Sequence, residues 1–154
     1  MDVFESEGDV PTSVTYETNG TQALGKPFID WYEGYIDRGG ELFFSCSPKL
    51  WSVAGEKAEK AIKPELVASY HKLSSKGQLK FVVNGTRESW AEVDDVLLKF
   101  RNEGIDWPVW IMPVGATVEG QEIVAADVAT EAFKRGYNVS ARVHTYIWGN
   151  AIGV

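Results

Sequence analysis

Four side chains in this sequence have the types that do chemistry, and each stands at or near the end of an apolar run. Lys49 follows Ser47 and a rigid Pro48; Glu17 opens the turn Glu17-Thr18-Asn19-Gly20; His144 lies in "RVHTYIW"; Cys46 is the chain's single cysteine. They offer an ammonium donor, a carboxylate, an imidazole and a thiol. Each also has a purely structural reading. Asn and Gly suit a tight turn with positive φ, so Thr18-Asn19-Gly20 divides evenly between turn and site. Lys49 could be a solvated loop lysine, but a stiff proline before it at a strand end favours a ligand role. Cys46 alternates with Phe44 in an apolar run and reads as a buried thiol ahead of a nucleophile. His71 in "SYHKLSS" reads as surface, and Asp94, Asp95 and the Glu/Lys run at 56 to 60 read as solvated charge.

The elements that must hold these groups alternate along the chain. "SVTYETN" (13 to 19), "ELFFSCS" (41 to 47), "QLKFVV" (78 to 83), "PVWIMPV" (108 to 114) and "ARVHTYIW" (141 to 148) are β-branched and aromatic runs closed by Gly, Pro, Asn or Ser, predicting five strands. In the last of these, Arg142, His144, Tyr146 and Trp148 are expected on one face and Val143, Thr145 and Ile147 on the other. Helical patterns fill the gaps. One opens at Pro27, and one has Pro64 near its start and Gly77 after it. Another is capped by Thr86 and ends at Gly104; the last runs from Glu122 to Gly136. Strands joined by helices of this length predict crossovers and a largely parallel α/β sheet, which collects ligands at the carboxyl ends of its strands. Residues 1 to 154 read as one domain, without repeat or linker.

Composition narrows the function classes. A hydrophobic content of 44% with six Trp and seven Phe builds a core and excludes general disorder. The formal charge of -7 argues against a nucleic-acid partner but leaves room for a local basic pocket. No stretch approaches the roughly 20 apolar residues of a membrane span, and the acidic start is unlike a signal peptide, so no membrane partner and a cytoplasmic location are expected. One cysteine can form neither an intrachain disulfide nor a multi-cysteine metal site. No Walker loop, Gly-x-Gly-x-x-Gly, nucleophile elbow or His-Glu-x-x-His is found.

"ETNGT", "SPK", "KFVV", "WIMPVG" and "GYNVSARVHTYIWGNAIGV", in that order and spacing over residues 14 to 154, resemble the later part of the 7-carboxy-7-deazaguanine synthase family of radical S-adenosylmethionine enzymes. The resemblance implies a partial (βα) barrel of the radical SAM type with its amino-terminal strands missing. It implies a cofactor cleaved by a reduced [4Fe–4S] cluster to a 5′-deoxyadenosyl radical, which starts ring contraction of 6-carboxy-5,6,7,8-tetrahydropterin to 7-carboxy-7-deazaguanine with loss of ammonia. By resemblance, Ser47, Pro48 and Lys49 contact S-adenosylmethionine, and Met112, Pro113, Val114 and Gly115 form a second cofactor-contacting strand tip. Val154 then offers its terminal carboxylate to the pterin, unless it is a frayed tail, and His144 and Glu17 face the same pocket. The family's three cluster cysteines precede this region, so neither the cluster nor the family's Mg2+ finds its protein ligands in this sequence. The resemblance therefore implies a partner, a cysteine-bearing amino-terminal half pairing at the open edge near Val14, or a homodimer. A binding module without catalysis and an inactive remnant are the alternatives.

Overall fold

The computed structural model describes residues 11–115 and 117–149. Five parallel strands form one sheet in sequential order: β1 (Ser13–Thr18), β2 (Glu41–Cys46), β3 (Gly77–Val83), β4 (Val109–Pro113) and β5 (Asn138–Val139). Between them lie α1 (Lys26–Asp37), then α2 (Trp51–Ala54), α3 (Ala58–Ala61) and α4 (Pro64–Leu73), then α5 (Arg87–Asn102) and α6 (Val118–Lys134). A short α7 (Val143–Trp148) follows β5. The expected α/β alternation and parallel pairing are present.

Strand alternation sorts the sheet into two unlike faces. Phe44, Leu79, Phe81, Val83 and Ile111 are fully buried on one of them. There Phe44 stacks on Tyr70 of α4 with ring centroids 5.2 Å apart, and Tyr16 meets Phe28 of α1 at the same distance. Cys46 shares this face and is fully buried. The opposite face carries Glu17 beside Ser45 and Gln78, Lys80 beside Trp110, and Val82 beside Met112. No helix needs to cover it, because its side chains are polar or half-buried.

Local signals explain most boundaries. Pro stands in the first turn of α1 and α4, where its missing N–H costs nothing. Thr86 caps α5 as expected, its hydroxyl accepting from the Ser89 amide at 3.2 Å. α6 begins four residues before the expected Glu122, because Thr117 caps it through the Gly120 amide at 3.1 Å. α4 stops at Leu73, and Gly77 begins β3 rather than ending the helix.

The expected strand over 141 to 148 is corrected. β5 is two residues long, and Ser140 N adds one further ladder bond to Ile111 O at 2.9 Å before the chain turns into α7. Val143 and Ile147 suit a helical i, i+4 pair as well as strand alternation, so the pattern itself was ambiguous. Tertiary bonds from α6 decide it, as described below. His71 is likewise half-buried, not a free surface group: its Nε2 lies 2.7 Å from Asp106 Oδ1 and its ring 5.5 Å from that of Trp107. That bond holds the Asp106 carboxyl below the usual range.

Candidate functional site

A cleft of about 660 Å3 opens on the helix-free face at the carboxyl ends of the strands. Its walls come from every strand tip except that of β5, whose place is taken by Ala141, Arg142 and the first residues of α7. Glu17, Thr18 and Asn19 enter from β1, Ser45, Ser47 and Lys49 from β2, Lys80 and Val82 from β3, Met112 from β4, and Ala141, Arg142, Val143 and His144 from beyond β5. Three lining residues, Lys49, Lys80 and Arg142, have basic side chains, against one carboxylate, that of Glu17. A protein of formal charge -7 thus concentrates positive charge in this cleft, which favours an anionic or carboxylate-bearing ligand.

The tip of β1 is built by its turn. Thr18 Oγ1 accepts from the Gly20 amide at 3.0 Å, and Asn19 Oδ1 accepts from the Thr21 amide at 3.2 Å and its hydroxyl at 2.8 Å. Gly20 has φ +79°, and a Cβ there would stand 2.8 Å from Val67 Cγ2 and 2.9 Å from Cys46 Sγ. Both the dihedral and the close approach require glycine.

At the β2 tip, Ser47 N extends the ladder to Thr18 O at 2.7 Å. Pro48 and Leu50 are buried and Lys49 between them is half-buried, so the alternation of the strand persists through the loop and turns the lysine outward to the cleft. At the β4 tip Met112 lines the cleft while Pro113 is buried. Val114 N bonds Val83 O at 2.8 Å, and Gly115, at φ +148°, packs its backbone on the first turn of α6, where a Cβ would meet Gln121 N at 2.7 Å.

The last wall is held from behind. Gln121 of α6 is 1% exposed; its Oε1 accepts from the Arg142 amide at 3.2 Å and its Nε2 donates to Thr145 Oγ1 at 2.5 Å. Thr145 in turn donates to Arg142 O at 2.7 Å. This carboxamide starts α7 and so presents Arg142, Val143 and His144 to the cleft.

Of the residues singled out from sequence, Glu17, Ser47, Lys49, Met112 and His144 meet in this cleft. Pro48, Pro113, Val114 and Gly115 support its tips without lining it, and Val154 lies outside the described residues. Sequence reasoning missed Lys80 and Ser45, and gave Arg142 only a place on the His144 face. Lys80 was detectable: in "GQLKFVV" it opposes buried Leu79 and Phe81, so a lysine inside a strand with neighbours on both sides must face a wet interior. Ser140 adds a signal of another kind, a buried hydroxyl with no hydrogen-bond partner among the described residues, one residue before Ala141 of the lining. Such a group is normally satisfied by a ligand or water.

Among the described residues no cluster of three His, Cys, Asp or Glu side chains could hold a metal ion. Cys46 lies on the helix-covered face, and burial pushes its thiol up to about 12, so it is no thiolate nucleophile at neutral pH, and it does not line the cleft. No helix among the described residues is long and apolar enough to cross a membrane.

Fold and site together define a parallel α/β domain with a cation-rich cleft at its strand tips. No protein-family model, curated protein or solved structure matches the chain.

Proposed function

We propose that this chain supplies the cofactor- and substrate-contacting part of an enzyme like 7-carboxy-7-deazaguanine synthase, on a partial barrel of the radical SAM type. The observation that carries the reading is the meeting of Glu17, Ser47, Lys49, Met112 and His144, chosen from separate sequence motifs, in one cleft on the helix-free face. The sequential strand order is that of a barrel wall, and the cleft volume falls in the range of small-ligand sites.

S-adenosylmethionine fits the residues present. Lys49 offers a cationic donor to a carboxylate from the β2 tip and Arg142 another from beyond β5, and the Ser47 hydroxyl suits polar atoms of a nucleoside. When bound next to a reduced cluster, the cofactor supplies the radical that begins pterin ring contraction. The part of this chain is to bind, orient and exclude water: Glu17 accepts from N–H donors of the substrate, and His144 stands on the opposite wall. A [4Fe–4S] cluster does not fit, since the sequence has one cysteine and that one is buried away from the cleft. In this reading the cluster thiolates come from outside the sequence in hand, from a segment or chain that pairs along β1, whose outer edge has no strand among the described residues.

The same cation-rich cleft equally suits a second reading, a nucleoside- or pterin-binding module without catalysis. One experiment separates the two. The chain is co-expressed anaerobically with a cysteine-bearing amino-terminal half, reconstituted with iron and sulfide, and assayed in a single turnover. Formation of 5′-deoxyadenosine and 7-carboxy-7-deazaguanine, lost with Lys49→Ala, supports the enzyme; association and ligand binding without either product leaves the module.

A further inference from the structure

Glu92 lies in the second turn of α5 and does not line the cleft. Its carboxylate nevertheless ends on the backbone that follows Lys49. Oε1 accepts from the Trp51 amide at 2.6 Å, and Oε2 accepts from the Ser52 amide at 2.9 Å and the Ser52 hydroxyl at 2.6 Å. Trp51 and Ser52 are the first residues of α2, whose own N-cap, Leu50, makes no side-chain capping bond. The distant carboxylate therefore does what a local cap would do: it satisfies orphan N–H groups and sets negative charge at the positive end of the turn.

The same turn is fixed from a second direction. Asn84, at the β3 tip, donates from Nδ2 to Ser52 O at 3.3 Å, while its Oδ1 accepts from the Thr86 amide at 3.0 Å and hydroxyl at 2.7 Å. Lys49 thus sits between buried neighbours, with the next two residues but one tied to α5 and β3. A loop lysine would ordinarily sample many directions, and ordering it on binding would weaken the ligand's hold. Here the backbone direction is set before any ligand arrives.

We infer that Glu92 is a positioning residue for Lys49: it fixes the loop that aims the ammonium into the cleft, and it governs ligand affinity without touching the ligand. The inference rests on the reading that this cleft takes S-adenosylmethionine, and the test separates the two. Binding of S-adenosylmethionine to the full chain is measured by calorimetry for the wild type, Glu92→Gln, Lys49→Ala and the double variant. Glu92→Gln is chosen over Ala because it keeps the volume while setting an N–H group against an amide donor. Hydrogen exchange at Lys49, Trp51 and Ser52 is followed in parallel, with the α5 amides as a control for folding.

The expected result is exchange at those three amides accelerated about tenfold or more, a roughly tenfold loss of affinity in Glu92→Gln, and no further loss when Glu92→Gln is added to Lys49→Ala. Additive losses in the double variant, or unchanged exchange at the loop, would overturn the inference. A wild-type chain that fails to bind S-adenosylmethionine defeats the proposed ligand instead; the positioning role is then decided by exchange alone, kept by acceleration confined to the loop and lost without it.

Discussion

Lys80 Nζ stands 3.8 Å from Glu17 Oε1, two strands away across β2 on the helix-free face. The contact is long and Glu17 is 75% exposed, so the pair contributes no more than about 1 kcal/mol to folding. Lys80→Met is therefore expected to shift the urea unfolding free energy by less than about 1 kcal/mol. The same change removes a cation from the cleft, and S-adenosylmethionine binding should weaken about tenfold, the scale of one charge-assisted hydrogen bond. Its salt dependence, followed by calorimetry from low to high ionic strength, should flatten.

Gln121→Leu tests the clamp on α7. The replacement roughly keeps the volume of the buried side chain but leaves the Arg142 amide without its acceptor and takes from the Thr145 hydroxyl the donor that Gln121 supplies. A loss of about 1–3 kcal/mol is expected in chemical denaturation. Hydrogen exchange should rise across Val143–Trp148 while β3 stays protected; equal loosening of both would show that Gln121 supports the whole domain instead.

Cys46 should behave as an inert thiol. At pH 8 iodoacetamide is expected to leave the native chain unmodified and to alkylate it fully in denaturant. The raised native value also fixes the sign of a pH effect. Near neutrality the thiol is protonated in both states, and above about 9 the unfolded chain loses its proton while the native chain keeps it until about 12. Stability should fall between those values by up to about tenfold in the folding constant per pH unit. Subtracting the profile of Cys46→Ala isolates this contribution; identical slopes in the two proteins would refute it.

Ser140→Ala is expected to be neutral or slightly stabilising, since the native hydroxyl is buried without a partner among the described residues. A stability loss above about 1 kcal/mol would mean that the hydroxyl has a structural bond in solution.

Gly20→Ala forces a side chain into contact with Val67 and Cys46 at a left-handed φ, and it should destabilise the domain by about 1–3 kcal/mol in thermal or urea unfolding. Asn19→Ala, which removes only the turn bonds to Thr21, should cost less.

The architecture was legible where burial and local chemistry agree. Leu79, Phe81 and Val83 alternate with half-buried partners as a two-faced strand must, and Thr86 lies at its helix start with the Ser89 amide in reach. It was illegible where distant groups decide. Val143–Trp148 satisfies a strand pattern and a helical one equally, and the choice depends on Gln121, more than twenty residues earlier. The site divides in the same way. Lys49 and Glu17 announce themselves at turns, whereas Lys80 is hidden inside a run that reads as ordinary strand, and Glu92 acts on a loop some forty residues earlier in the chain.

The sequential order of the sheet has a consequence for how the chain is made. From β2 through β5, each strand pairs with the strand synthesised immediately before it. A nascent chain leaving the ribosome can therefore dock each new βα unit on a completed neighbour, and among these five strands none waits for a partner translated much later. The Arg142–His144 wall, held by Gln121 of the preceding helix, is the last of the cleft-lining segments in chain order, so the cleft is complete only once that segment has been made.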